Sequence, residues 1–305
     1  MASSNLNAPH FQDPEAARQY LEAQVWPNGR ICPHCGSIGE HYELKGKTNR
    51  PGLYKCADCR EPFTVTVGTV FEKSKVGLHI WLQAVYLMNA SKKGVSAKQL
   101  ERMLGVTYKT AWFMAHRIRE AMDIKSDKPL GENGGPVEAD ETYWGNRDKK
   151  PKGARGYAHK MKVLSLVERG GQKRSYHVTN VNAETLRPIL KKQIAAQAHL
   201  MTDEASVYTK VGREFAAHGV VNHGAKEYKR GIISTNEVES SFAILKRGLY
   251  GTFHNVSEKH LQRYANEFDF RWNRRQSLGV DDIQRTNETL KNVGGKRLVY
   301  KRADG

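Results

Sequence analysis

The chain lacks what a membrane-spanning protein needs. Its longest apolar-rich stretch, Val76 to Met88, is interrupted by His79 and Gln83, and it falls well short of the ~20 apolar residues that cross a bilayer. The opening Met-Ala-Ser-Ser-Asn has no basic start followed by an apolar run, so no secretory signal is read there and a cytoplasmic protein with no membrane partner is expected. Cysteine is scarce: there are four in 305 residues, all between positions 32 and 59. Acid is also in short supply, with 32 Asp and Glu against 49 Lys and Arg, for a formal net charge of +17. Such an excess on a soluble chain favours a polyanionic partner through counterion release, and nucleic acid is the first candidate. With 39 % hydrophobic and 27 % charged residues, the chain is long enough for two or three modest cores.

The few cysteines are arranged as two pairs, Cys32-Pro33-His34-Cys35 and Cys56-Ala57-Asp58-Cys59, with twenty residues between them. Two knuckles at that separation present four thiolates tetrahedrally to one Zn²⁺, and short strands at Tyr54 to Lys55 and Phe63 to Val67 are expected around the ion. The alternative, two disulfides, is disfavoured in a reducing compartment. Ahead of this segment Asp13-Pro14-Glu15 predicts a helix to about Ala23, with Asp13 as N-cap and Pro14 at its first position.

After the cysteines, Leu78 to Ala90 reads as a helix. Ser96-Ala97-Lys98-Gln99 starts a second that ends at Gly105, and Thr107 caps a third. On the third, Ala111, Met114, Ile118 and Met122 repeat at helical spacing as a buried stripe, which leaves Lys109, His116, Arg117 and Arg119 off it. Helix, glycine turn, helix is the shape of a helix-turn-helix, with Lys109 and Arg117 as candidate DNA contacts; a plain helical linker with a solvated basic face is the alternative.

Ser126 to Pro136, rich in glycine, reads as a linker. Beyond it the pattern alternates. Strands are expected at Val137 to Tyr143, Val163 to Val167, Ser175 to Val178 and Leu200 to Thr202, with a helix from Ala183 to about Ala195. An α/β sheet follows. The remainder reads as helical at Val238 to Leu245 and from Leu261 to Trp272.

Three carboxylates from separate elements stand out as candidate ligands: Asp140 in the first strand, Asp203 just after the strand Leu200 to Thr202, and Glu239 on the following helical segment. Carboxylate oxygens suit Mg²⁺, and three of them can hold two ions ~3.5–4 Å apart for phosphoryl transfer.

At this point the chain resembles a known family, the zinc-ribbon-bearing (ISXO-like) DDE transposases of bacterial insertion sequences. The resemblance runs from near Phe11 through Trp26-Pro27-Asn28-Gly29 into the first cysteine pair, then through Val137 to Tyr143, Thr202-Asp203 and Tyr208. It is densest over Thr235-Asn236 to Lys246-Arg247-Gly248, Gly251-Thr252-Phe253-His254, and Glu267-Phe268 to Asn273-Arg274-Arg275. Two places depart from the family pattern, Ser240-Ser241-Phe242 and Trp144-Gly145-Asn146, and both touch packing more than ligands. The resemblance implies an α/β fold in which an RNase H-like catalytic domain is preceded by a zinc ribbon and a helix-turn-helix, with the catalytic Asp, Asp and Glu on Asp140, Asp203 and Glu239. It further implies two Mg²⁺ or Mn²⁺ ions per site and one structural Zn²⁺ on Cys32, Cys35, Cys56 and Cys59. The implied partners are double-stranded DNA, both element ends and target, and further copies of the chain that bridge both ends.

Neighbouring acids compete for these roles. Glu141 must point to the opposite face of its strand from Asp140, while Glu138 shares that face two residues further from the strand end. Glu237 lies ~200° around a helix from Glu239, so both cannot face one ion, and the family pattern selects Glu239. Lys246, two turns beyond Glu239, and Arg247 beside it are candidate DNA contacts. So are Arg147, Lys149, Lys150 and Lys152 in a segment, Arg147 to Lys162, that holds seven basic residues against one acid. The tail from Arg285 carries six basic residues against two acidic ones and is expected to trail over DNA or a partner. The expected layout is a helical brace (1–29), zinc ribbon (30–68), helix-turn-helix region (69–125), linker (126–136), catalytic domain (137–277) and basic tail (278–305). The expected activity is binding of inverted-repeat ends followed by metal-dependent cleavage and strand transfer. The rivals are a non-enzymatic DNA-binding regulator and a hydrolytic nuclease of the same fold.

Overall fold

The structure, a computed structural model, describes residues 5–145, 156–296 and 298. The chain divides into two compact units, Met1–Asp123 with Gln276–Gly305, and Ile124–Arg275. Among the described residues no helix is long and apolar enough to cross a membrane.

In the first unit, helix α1 (Pro14–Val25) begins where the Asp13 side chain accepts the Ala16 N–H at 2.7 Å. A three-stranded antiparallel sheet follows: β1 (His41–Glu43), β2 (Tyr54–Cys56) and β3 (Pro62–Phe63). The expected strand over Phe63 to Val67 stops at Phe63, because the chain turns at once, with the Val67 N–H bonded to the Thr64 carbonyl. Next come α2 (Leu78–Ala90), α3 (Ala97–Leu104) and α4 (Tyr108–Met122). Ser96 and Thr107 cap α3 and α4 by accepting the Gln99 and Thr110 N–H groups. Between these helices Gly105 takes φ +65°, a left-handed turn that favours glycine.

The basic tail is not a trailing one over its first half. Residues Asp282–Lys291 form a helix opened by a reciprocal capping box between Asp281 and Gln284. It docks onto this same unit: Arg285 Nε donates to the Asn89 carbonyl at 3.1 Å, and Asn292 Nδ2 donates to the Ala121 carbonyl at 2.6 Å.

The second unit is built on a five-stranded sheet. In chain order its parts are β4 (Pro136–Trp144), β5 (Met161–Glu168), β6 (Lys173–Val178), α5 (Ala183–Gln193), β7 (His199–Thr202), α6 (Val207–Val211) and β8 (Ala217–Val220). A two-stranded hairpin, β9 (Lys229–Arg230) and β10 (Ile233–Ser234), and the helices α7 (Asn236–Gly248) and α8 (Glu258–Asn273) complete it. The strand order is β6-β5-β4-β7-β8, with β4, β5 and β6 antiparallel and β4, β7 and β8 parallel. That is the RNase H-like arrangement.

Strand alternation sorts the core into two layers. Val137 and Ala139 face Leu186, Leu190 and Tyr208 of α5 and α6. Trp144 lies on the opposite face, with Leu245 of α7 and Leu261, Tyr264 and Phe268 of α8. The stretch read as a linker belongs to this unit, which begins at Ile124, and Leu130 is buried within it and exchanges backbone hydrogen bonds with Gln193 and Ala195. Gly131, at φ +70°, tolerates no side chain, because a Cβ there would sit 2.6 Å from Ala198 Cβ.

The outer edge of the sheet is closed by side chains of α8. Along β6 the outward N–H groups of Lys173, Ser175 and His177 donate to Asn273, Asp269 and Gln262. The Lys173 and Ser175 carbonyls accept from the Asn273 and Gln262 amides.

Candidate active site

The register of the parallel pair β4 and β7 sets the site. Val137 lies opposite Leu200 and Glu138 opposite Met201. Carried two residues further, the same offset brings Asp203, just past the end of β7, level with Asp140. Asp203 Oδ1 accepts the Ala205 N–H at 3.0 Å, which fixes the carboxylate in the turn leading to α6. Glu239 comes from the first turn of α7, on the face of the sheet to which Asp140 points.

Glu138 does not serve as a ligand; it anchors the helix that carries Glu239. It is completely buried, and its Oε2 accepts the N–H groups of Glu237 and Val238 at 2.8 and 3.0 Å. These are two of the unpaired donors at a helix start. Its Oε1 receives Arg169 Nη2 at 2.7 Å, and the same guanidinium reaches Ser234 Oγ and the Ile232 carbonyl. One ion pair, with its carboxylate buried and its guanidinium half-buried, therefore ties β4, the β9–β10 hairpin and the start of α7 together. Glu237 turns away, its Oε2 3.4 Å from the Gly170 N–H.

Glu239 has partners that sequence reasoning missed. Its Oε1 accepts the Thr235 hydroxyl at 2.8 Å and lies 3.4 Å from His223 Nε2. His223 is delivered by a turn that Glu204 pins, because the Glu204 carboxylate accepts the N–H groups of His223 and Gly224 at 2.9 and 3.0 Å. The only sequence signal was a histidine between Asn222 and Gly224, a pair of turn formers.

Burial, above all, pushes the Asp140 carboxyl up to about 8; the Glu141 N–H that it accepts at 2.6 Å opposes this, and the charges of Glu141, Asp203 and Glu239 add to it. Glu141 is pushed up to about 7, chiefly by burial, with Asp203 contributing. Glu141 thus lies on the far face of β4, as alternation requires, yet still carries part of the site's charge. A set of acids under this mutual load fits a divalent cation, whose charge would relieve it. The carboxylates are spread more widely than the thiols: among the described residues, the four cysteines are the one group of three or more candidate ligands with all ligand atoms within 4.8 Å.

The cysteine cluster has the dimensions of a zinc site. Cys32 Sγ and Cys59 Sγ are 3.6 Å apart, and Cys35 Sγ and Cys56 Sγ are 3.7 Å apart. A tetrahedron with Zn–S bonds of ~2.3 Å has edges of ~3.8 Å. Tyr54, Phe63 and Trp26 pack around it.

Residues 133–273 match the ISXO2-like transposase domain and residues 12–61 the transposase zinc-ribbon domain. A Halobacterium salinarum relative, described as an uncharacterized protein in transposable element ISH50, is 32 % identical over 270 residues, spanning 82 % of this chain and 88 % of the relative. The chain belongs to the ISXO2-like transposase family. It carries that family's DDE-type domain, that of a DNA-cleaving and strand-transferring enzyme, behind a zinc ribbon. Two solved structures, a pre-cleavage Mos1 transpososome and a Mos1 transposase paired-end complex with left transposon end, are also similar. They are 15 % and 14 % identical, cover 63 % of this chain and 75 % and 76 % of theirs, and reach a TM-score of 0.21. That overlap is too slight to place any residue of this transposase.

The candidate DNA contacts divide. Lys109 is exposed at the start of α4, and Lys246 is half-buried two turns past Glu239 on α7. Arg247 is exposed, with its Nε bonded to the Ala243 carbonyl one turn back. Arg117 is a correction: it is buried, and its guanidinium donates to the Val70 and Glu72 carbonyls at 2.8 and 3.0 Å. It closes a turn of its own unit and is not presented to DNA; His116 and Arg119 are buried as well. Arg147, Lys149, Lys150 and Lys152 lie outside the described residues.

Proposed function

We propose that this transposase binds the inverted-repeat ends of its own insertion sequence and cuts and joins DNA at Asp140, Asp203 and Glu239. The observation that carries this reading is the β4–β7 register, which sets Asp203 level with Asp140, with Glu239 on a helix that Glu138 anchors to the same strand.

The three carboxylates would hold two Mg²⁺ or Mn²⁺ ions. Such ions, when bound, lower the pKa of the attacking water and stabilise the leaving 3′ oxygen. The chain's own groups do the rest. Thr235 holds the Glu239 carboxylate by its hydroxyl, and Glu204 keeps the His223 turn in place beside it. Lys246, two turns beyond Glu239 on α7, offers a cation to the DNA backbone. No side chain needs to form a covalent bond to DNA: the 3′ hydroxyl freed by the first cut attacks target DNA in the same site.

End recognition is assigned to the ribbon, held by one Zn²⁺ on Cys32, Cys35, Cys56 and Cys59, and to the α3–α4 helix-turn-helix, where Lys109 stands at the start of the second helix. The basic segment that follows β4 in sequence, with Arg147, Lys149, Lys150 and Lys152, adds positive charge for the DNA backbone, and two or more copies in the cytoplasm bridge the two ends. The test is incubation of purified protein with Mg²⁺, labelled repeats flanking its gene and a target plasmid. Joined products support the proposal; cutting without joining would assign a hydrolytic nuclease, and binding without cutting a regulator.

A further inference from the structure

Between the elements that carry Asp203 and Glu239, the chain inserts a turn and the β9–β10 hairpin, and these put an aromatic and an aliphatic side chain on the surface close to the carboxylates. Tyr228 is 56 % exposed and Ile232, in the turn after Gly231, 64 % exposed. Lys226, Lys229 and Arg230, all exposed, accompany them. This piece is held firmly to the sheet: Arg230 Nη2 donates to the Val220 carbonyl at 2.9 Å, Arg169 Nη1 to the Ile232 carbonyl at 2.6 Å, and Ile233 packs where a Cβ on Gly219 would intrude.

The ring also connects to the carboxylates. Tyr228 meets His223 edge to face, with ring centroids 5.4 Å apart, and His223 Nε2 is 3.4 Å from Glu239 Oε1. Tyr228 is therefore one imidazole removed from a candidate metal ligand, within reach of the nucleotide next to a phosphate bound there. Exposed aromatics flanked by lysine and arginine are the chemistry of single-strand binding, in which a base stacks on the ring and the cations follow the backbone. A base inside a duplex has both faces covered by its neighbours. Only a nucleotide drawn out of the stack offers a face to a tyrosine.

We propose that Tyr228 is a stacking platform for an unpaired nucleotide of the DNA strand at the carboxylate site, with Lys226 and Lys229 contacting the adjoining phosphates. The proposal rests on the assignment of DNA processing to Asp140, Asp203 and Glu239, and it adds the substrate feature that this site selects: a DNA end that is frayed or unpaired next to the cut.

The test uses the full-length, zinc-loaded protein with Ca²⁺ in place of Mg²⁺. Two duplexes of the same terminal-repeat sequence are compared, one blunt and one with a short unpaired 3′ extension containing 2-aminopurine. The wild type is expected to quench 2-aminopurine and to bind the extended duplex roughly five- to tenfold more tightly than the blunt one. Tyr228→Ala should lose the quench and the preference while keeping its affinity for the blunt duplex and its circular dichroism spectrum; Tyr228→Phe should keep both. Wild-type quenching in Tyr228→Ala, no preference in the wild type, or an equal loss on both duplexes would overturn the proposal. Because quenching needs no chemistry, a separate Mg²⁺ cleavage assay distinguishes the two failures. Quenching without cleavage breaks the assignment of DNA processing to the carboxylate site alone, and cleavage without quenching breaks the platform alone.

Discussion

The two candidate metal sites of this chain are built in opposite ways. The four thiols come from a single stretch of the sequence, 28 residues from Cys32 to Cys59, and their sulfurs already lie within 4.8 Å of one another. The three carboxylates come from β4, the end of β7 and α7, 99 residues apart from first to last, and remain wider. The ribbon's geometry is local, set by two short knuckles. The carboxylate geometry is borrowed from the sheet register and from the ion pair of buried Glu138 with Arg169. A structural ion can be held by its own loops, whereas a site that must admit DNA stays open and depends on distant packing to hold its shape.

The most severe break in the comparison is removal of zinc. Structural zinc of this kind contributes about 10–16 kcal/mol to the folding of isolated fingers, so chelation or Cys56→Ser should unfold the ribbon and abolish terminal-repeat binding. The five-stranded unit should stay folded. Elemental analysis and hydrogen exchange, read separately over residues 32–63 and the sheet, would show it; full protection of the ribbon without zinc would refute the assignment.

Next come the carboxylates. Asp140→Asn, Asp203→Asn and Glu239→Gln should each lower strand cleavage by about 10³-fold or more, since each removes charge that holds the cations. Fold and repeat binding should persist, as judged by circular dichroism and gel shift. Glu237→Gln is the control and should stay within about twofold. Cleavage lost in that variant but kept in Glu239→Gln would move the site.

A smaller effect is expected at the anchor. Glu138→Gln leaves Arg169 without its anion, and breaking such a buried pair costs about 3–5 kcal/mol; with Arg169 28 % exposed, roughly 2–3 kcal/mol is expected. Urea unfolding should report that loss. Cleavage should need more Mg²⁺ for half-maximal rate, because Glu239 is less well placed, and an unchanged Mg²⁺ requirement would confine Glu138 to stability. The mildest change is Lys246→Ala, for which a roughly three- to tenfold slower cleavage is expected, with repeat affinity nearly unchanged and a shallower salt dependence. Wild-type cleavage at moderate salt would return Lys246 to the solvated face.

Much of this was legible in the residues because caps and periodicity are local. Asp13, Ser96 and Thr107 mark helix starts where the structure has them, and the strands read at Val137 to Tyr143 and Val163 to Val167 lie within β4 and β5. The cysteine spacing was sufficient for the ribbon. What escaped was held by tertiary contacts. β8, Ala217-His218-Gly219-Val220, is too short and mixed to alternate, and becomes a strand only beside β7. The C-terminal helix buries Arg285, Thr286 and Thr289 in place of an apolar stripe, so a hydrophobic period is missing even though its capping box was readable. Arg117 differs for the reverse reason: a charge off the apolar stripe reads as a DNA contact, yet two carbonyls of a neighbouring turn take its donors. At the candidate site the acids were visible, but the roles of Glu138, Glu204 and His223 depend on which backbone groups approach them.

The outer side of β6 has a consequence for self-association. A bare strand edge invites pairing with another chain, and a protein expected to gather in several copies on one DNA molecule would meet such edges at high local concentration. Here Asn273, Asp269 and Gln262 occupy the hydrogen-bonding positions that an incoming strand would use. Strand pairing with another copy through the β6 edge is blocked.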